Sequence, residues 1–154
     1  GSRGSVVELY QRMVAEGAKS LPITDTRMTR FWITIQQGVN FVLSSMDMMR
    51  GGEIFIPKVP SMKVTDVAEA FLPGAEHNII GIRPGEKLHE ALITVDDARN
   101  TKDLNDRLII EPEFAFWSRE HYSEQGLKSV AEDFSYVSNV NDEWLSAEGL
   151  RAQL

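Results

Sequence analysis

Residues 51–71, GGEIFIPKVPSMKVTDVAEAF, carry both kinds of secondary structure in one short run. Glu53 to Lys58 (EIFIPK) is apolar and β-favouring and reads as a buried strand. Pro57 and Pro60 end it, because proline cannot donate to a sheet ladder. Ser61 or Thr65 then offers a helix N-cap. Val67, Ala68, Phe71 and Leu72 recur at helical spacing, and Pro73-Gly74 stops the helix. A strand, a break and a helix in so few residues predict a mixed α/β fold.

The flanking sequence extends this pattern. Upstream, Ser5 caps a helix carrying Val6, Val7, Leu9, Tyr10, Met13 and Val14, which Gly17 closes. Leu21-Pro22-Ile23-Thr24 is a short extended piece, followed by a basic stretch, Arg27 to Arg30, and the pair Phe31-Trp32. Ile35, Val39, Val42, Leu43 and Met46 define a second amphipathic helix, stopped at Gly51-Gly52. Downstream, His77 to Ile82 reads as a strand, and Arg83-Pro84-Gly85-Glu86 as a turn. Lys87 to Leu92 predicts one or two helical turns, and Arg107 to Glu111 a third strand. Beyond Glu113 the aromatics Phe114, Phe116, Trp117, Tyr122, Phe134, Tyr136 and Trp144 are scattered among polar residues. The organisation predicted is a body over 1–111 and an irregular tail over 112–154, packed on that body or on a neighbouring subunit.

At 154 residues the chain can bury a substantial core, and 42% hydrophobic with 25% charged residues is a globular composition. A net charge of −7 disfavours nucleic acid and anionic membrane as partners. No apolar run approaches the roughly 20 residues of a membrane helix. The absence of cysteine removes disulfides, thiolate catalysis and cysteine zinc sites, and is compatible with a reducing cytoplasm. The start, GSRGS without methionine, reads as part of a longer protein.

Most catalytic signatures are missing. His77, His89 and His121 lack metal-ligand spacing, and G-x-S-x-G, the P-loop and G-x-G-x-x-G do not occur. Asp96-Asp97 and Asp142-Glu143 lie in loop-like sequence and read as solvated surface. Arg30 and Arg83 differ from the other arginines. Each stands beside a short extended segment, where a planar guanidinium is held at a fixed position and suits a carboxylate or a phosphate. Glu86, three residues after Arg83, can accept hydrogen bonds from a pair of hydroxyls. Arg83 with Glu86 therefore matches a phosphate beside a ribose, and equally an ordinary internal ion pair. GSRGS ahead of a helix is either an anion nest or a capped loop.

Taken together, GSRGSVV (1–7), LPITDTRMTRFWIT (21–34), GGEIFIPKVPSMKVTDVAEAF (51–71) and GIRPGEKLHEALI (81–93) form a specific set. In this order they resemble the C-terminal part of the inverting UDP-N-acetylglucosamine 4,6-dehydratases (5-epimerising), in the extended short-chain dehydrogenase/reductase superfamily. Residues 1 to about 111 carry the resemblance, and the tail matches loosely. The fold implied is the α/β substrate-binding portion of an NAD(P)-binding Rossmann-like enzyme, without its cofactor half.

The resemblance implies a lyase of surface-polysaccharide or flagellin-glycan biosynthesis, with pseudaminic acid among the pathways. NADP takes hydride from sugar C4, water leaves across C5–C6, hydride returns to C6, and C5 is reprotonated on the opposite face. The product is UDP-2-acetamido-2,6-dideoxy-beta-L-arabino-hex-4-ulose. The family's Tyr-x-x-x-Lys pair does not occur here, because Tyr10, Tyr122 and Tyr136 are followed at that spacing by Val14, Gly126 and Val140. Neither catalytic nor cofactor-binding residues are therefore expected in this chain, which alone should not turn over. By the resemblance Arg30 and Arg83 contact the UDP diphosphate, and Glu86 the uridine ribose. Val7 lines the nucleotide or sugar pocket, and Pro22 and Thr24 flank the uracil. NADP, UDP-N-acetylglucosamine and a homo-oligomer belong to the full-length cytoplasmic enzyme. A related nucleotide-sugar epimerase or reductase, or a non-catalytic fragment, is the alternative.

Overall fold

The computed structural model describes residues 5–114 and 127–154. They form two compact units. The first comprises residues up to 34, 60–90 and 138–154, and the second 35–59 and 91–137.

The first unit opens with helix α1 (Val6–Ala15). The Ser5 side chain accepts a hydrogen bond from the Glu8 amide, and Glu8 places negative charge on the first turn. Gly17, at φ +81°, ends it as predicted. Strand β1 (Ser20–Ile23) alternates half-buried and buried, with Leu21 and Ile23 inward. It pairs in parallel with β5 (Glu76–Ile79). Strands β2 (Thr29–Phe31) and β4 (Ser61–Lys63) pair antiparallel, and β4 runs directly into helix α3 (Val64–Phe71). The core gathers Tyr10, Leu21, Ile23, Met62, Val67, Ala68 and Ala70. It is completed by Leu150 from the last helix, α5 (Ala147–Arg151). Tyr10 meets Phe71 edge to face at 5.9 Å, and burial pushes its phenol pKa upward.

The second unit is built on an antiparallel sheet ordered β3-β8-β7-β9, from Ile54–Pro57, Arg107–Ile110, Thr101–Leu104 and Lys128–Ser129. A separate pair joins β6 (Ala91–Ile93) to β10 (Tyr136–Val137). The Tyr136 hydroxyl binds both backbone groups of Val59, each at 2.9 Å. The short helix α4 (Val95–Ala98) begins with a capping box between Thr94 and Asp97. The Thr94 hydrogen bonds hold the Asp97 carboxyl below its usual pKa.

Helix α2 (Ile35–Met48) matches the predicted period but turns an unexpected face inward. Ser45 is its buried residue, with Gly38, Phe41, Ser44 and Met48 half-buried on the same side. The apolar set Ile35, Val39, Val42, Leu43 and Met46 is 47–68% exposed. What holds the helix is polar. The buried Arg107 guanidinium, in β8, donates to Ser45 Oγ at 3.0 Å and Ser44 Oγ at 2.9 Å and lies over the Phe41 ring at 4.8 Å. Arg107 also lowers the Asp106 carboxyl pKa by hydrogen bonding to it.

Several local readings are corrected. Helix α3 is capped by Lys63 without a side-chain bond, and neither Ser61 nor Thr65 serves. Ser61 lies in β4 because β2 competes for its backbone. Residues 87–90 are not helical, since long-range pairing draws Ala91–Ile93 into a strand. The tail holds β9, β10 and α5, more order than its aromatic scatter implies. Gly1 to Gly4, and with them most of the nest reading, lie outside the described residues, as do Phe116, Trp117, His121 and Tyr122.

Candidate functional site

All six residues singled out for substrate binding belong to the first unit. Val7 is half-buried on the first turn of α1. Pro22 lies in β1, and its carbonyl accepts the Tyr10 hydroxyl at 2.6 Å, which ties α1 to β1. Thr24 follows the end of β1. Because β1 and β5 are parallel, their carboxyl ends leave at the same edge. The Ile80 amide extends the pairing to the Ile23 carbonyl at 2.9 Å. Thr24 and the chain leading to Arg83 thus emerge side by side, the edge of a parallel pair where ligands are commonly held. Just beyond, Asp25 is held by Arg27 through side-chain bonds of 2.8 and 3.0 Å and a backbone bond of 2.8 Å. These lower its pKa from 3.8 to about 2.

The turn 83–86 is closed by its own ends. The Glu86 amide donates to the Arg83 carbonyl at 3.0 Å, and the Arg83 amide donates to Glu86 Oε2 at 3.1 Å. Gly85, at φ +85°, takes a conformation that L side chains rarely adopt. The Glu86 carboxylate is thus engaged with backbone and not with the Arg83 guanidinium, so the internal ion pair does not form. Among the described residues the exposed Arg83 guanidinium has no hydrogen-bond or ion-pair partner.

Arg30 is organised differently. Its Nη1 donates to the carbonyls of Thr29 (2.7 Å) and Leu88 (3.2 Å). Its Nη2 donates to the carbonyl of Lys87 and to Met28 Sδ, each at 3.0 Å. Its Nε lies 3.4 Å from the Glu90 carboxylate. The fork is therefore bound to the segment that follows Glu86, and brings β2 and the 83–86 turn into one framework.

Sequence reasoning missed the residues that complete this framework: Thr29, His89 and Ser138. Thr29 Oγ1 lies 2.8 Å from His89 Nδ1 and 2.7 Å from Ser138 Oγ. Thr29 and Ser138 are 109 positions apart, so no local pattern could signal the contact. A separate concavity of about 490 Å³ in the second unit is lined by Lys58, Asp103, Lys128 and Phe134. Lys58 and Asp103 neutralise each other there at 2.6 Å.

No group of metal-ligating side chains occurs among the described residues. The described residues offer no dinucleotide pyrophosphate site. β2 leads toward α2 through Trp32 to Thr34, β4 enters α3 directly, β6 enters α4 through Thr94, and β10 leads toward α5 through residues 138–146. None of these junctions is the glycine-rich turn that holds a dinucleotide pyrophosphate.

The family described as polysaccharide biosynthesis protein matches residues 1–112, well over half of the sequence. The chain belongs to that family. It is 51% identical over 97% of its length to a UDP-N-acetylglucosamine 4,6-dehydratase (inverting) from Campylobacter jejuni serotype O:2, of which it covers 46%. It is 34% identical over 90% of its length to a UDP-glucose 4-epimerase from Rickettsia canadensis, covering 41% of that protein. A solved structure, that of Pen from Bacillus thuringiensis, superposes with a TM-score of 0.81 at 29% identity. It is matched over 99% of this chain and 45% of its own. The chain thus spans about half the length of these relatives. Both the resemblance to the inverting dehydratases and the α/β class are borne out.

Proposed function

We propose that this chain is the substrate-binding part of an NADP-dependent, inverting UDP-N-acetylglucosamine 4,6-dehydratase. One observation carries the reading. In the 83–86 turn a guanidinium without a partner among the described residues stands three positions from a carboxylate with one oxygen already pinned to backbone. A planar fork on a rigid turn suits the UDP diphosphate, which brings about two negative charges into an acidic protein. Glu86 Oε2 is taken by the Arg83 amide, which leaves Oε1 to accept from the ribose hydroxyls. Arg30 supplies a second fixed positive charge, and contact with the diphosphate exchanges one of its present hydrogen bonds. Val7, Pro22 and Thr24 flank the nucleotide or sugar. The carbonyl of Pro22 keeps one lone pair beside the Tyr10 hydroxyl bond.

The sequence lacks the Tyr-x-x-x-Lys pair, and the described strand-to-helix junctions lack the dinucleotide turn. In this reading both come from a part of the full-length enzyme outside the chain, and the chain alone does not turn over. The whole enzyme is a cytoplasmic lyase and a homo-oligomer that serves surface or flagellin glycan synthesis. The higher identity to the dehydratase, 51% against 34% for the epimerase, favours dehydration over 4-epimerisation.

A calorimetric or NMR titration of the chain with UDP tests the reading. Saturable binding is expected, weakened by Arg83→Ala by about 1.5–3 kcal/mol, the range for hydrogen bonds to charged groups. A folded chain that does not bind UDP, or binds it equally well without Arg83, refutes it.

A further inference from the structure

The 83–86 turn is exposed and closed only by its own backbone and Glu86, so its placement depends on the stem that follows. Every residue from 87 to 90 is tied down within the first unit. The carbonyls of Lys87 and Leu88 accept from Arg30. The Leu88 carbonyl also accepts the Thr29 amide at 3.1 Å. Glu90 is held twice by one residue. Its carbonyl accepts the Ser138 amide at 2.8 Å, and its amide donates to Ser138 Oγ at 2.9 Å. Ser138 is fully buried and Thr29 nearly so.

We propose that Thr29 and Ser138 are positioning residues for the nucleotide-binding turn, an inference that rests on the reading of Arg83 and Glu86 given above. Proton counting shows how they act. The Glu90 amide must donate, so Ser138 Oγ accepts there. Its single hydroxyl proton then passes to Thr29 Oγ1, whose proton passes to His89 Nδ1. The result is a directed chain, Glu90 N–H to Ser138 O–H to Thr29 O–H to His89, that fixes the stem at two consecutive residues. If His89 Nδ1 carries the proton, the two hydroxyls reverse and Ser138 donates to the Thr29 carbonyl, 3.3 Å away. The stem stays bound in either state. These hydroxyls touch no ligand. They set where Arg83 and Glu86 stand relative to Arg30 and Thr24, a placement that a diphosphate and a ribose held together require.

The test is a UDP titration of the 154-residue chain, its Thr29→Val, Thr29→Ser and Ser138→Ala variants, and Arg83→Ala as the control for the underlying reading. Thermal midpoints are measured in parallel. Thr29→Val keeps the shape and removes the hydroxyl. It is expected to weaken UDP about tenfold, a little over 1 kcal/mol, while remaining folded. Thr29→Ser keeps the hydroxyl and is expected to bind within twofold of the parent. Ser138→Ala is an independent second cut of the same chain and is expected to follow Thr29→Val. Amide shifts of Arg83 and Glu86 should move in Thr29→Val and not in Thr29→Ser. If folded Thr29→Val or Ser138→Ala binds UDP like the parent while Arg83→Ala does not, the positioning role is overturned and the nucleotide reading stands. If Thr29→Ser loses as much affinity as Thr29→Val, the methyl packing matters and the hydroxyl chain is refuted. If the parent does not bind UDP, or Arg83→Ala binds as well as the parent, both fall.

Discussion

Replacing Arg107 by alanine should release helix α2. The helix presents its apolar residues outward, so little hydrophobic burial secures it, and Arg107 carries an unusual share of the attachment. The residue is 5% exposed. Two hydroxyls accept from it, each bond to a charged donor being worth about 1.5–3 kcal/mol. The Phe41 contact adds about 1 kcal/mol. The Asp106 pair adds at most about 1 kcal/mol, because that carboxylate is largely in water. These contributions overlap, and removing the cation also ends the cost of its burial. The net loss expected is about 3 kcal/mol. Arg107→Lys keeps the charge without the fork and should recover less than half of that loss. Urea unfolding gives the total, and amide exchange across residues 38–48 localises it. A loss below about 1 kcal/mol, or unchanged exchange in α2, would refute the attribution.

Leu150→Ala should destabilise the first unit by about 2–5 kcal/mol, because the side chain is fully buried in the apolar core that holds Tyr10 and Val67. Thermal unfolding reads this, and a change under 1 kcal/mol would show that α5 is peripheral. Asp25 should titrate near pH 2 by carboxyl carbon NMR and return toward 3.8 in Arg27→Ala. Since its folded pKa is depressed, its contribution to stability is present above the ordinary carboxylate range and is lost as pH falls from about 4 through 2. An unshifted Asp25 in the parent would sink that argument.

What could be read from the sequence was local. Ser5, the period of α1 and Gly17 specify that helix by themselves. Pro84-Gly85 specifies the turn that carries Arg83 and Glu86, and the RMTRFW and RPGEK strings on which the resemblance to the dehydratase family rests both fall in the first unit. What failed was decided at a distance. The period of α2 was legible, but not that Ser44, Ser45 and Phe41 would face inward, because Arg107 lies more than sixty residues away. Residues 87–92 have helical composition, yet pairing with Tyr136–Val137 and bonds from Arg30 and Ser138 keep them out of a helix. The Thr29–Ser138 contact joins two residues of no local distinction.

The chain passes between the two units at 34/35, 59/60, 90/91 and 137/138. The order of synthesis therefore does not match the order of assembly. Tyr10 is synthesised well before Leu150, yet both belong to one core, so the first unit stays open until Leu150 has emerged. Its half-built surface, with Leu21, Ile23 and Met62 uncovered, is exposed throughout. Folding is dominated by contacts between distant positions, which makes it slow and favours capture by chaperones over completion during translation.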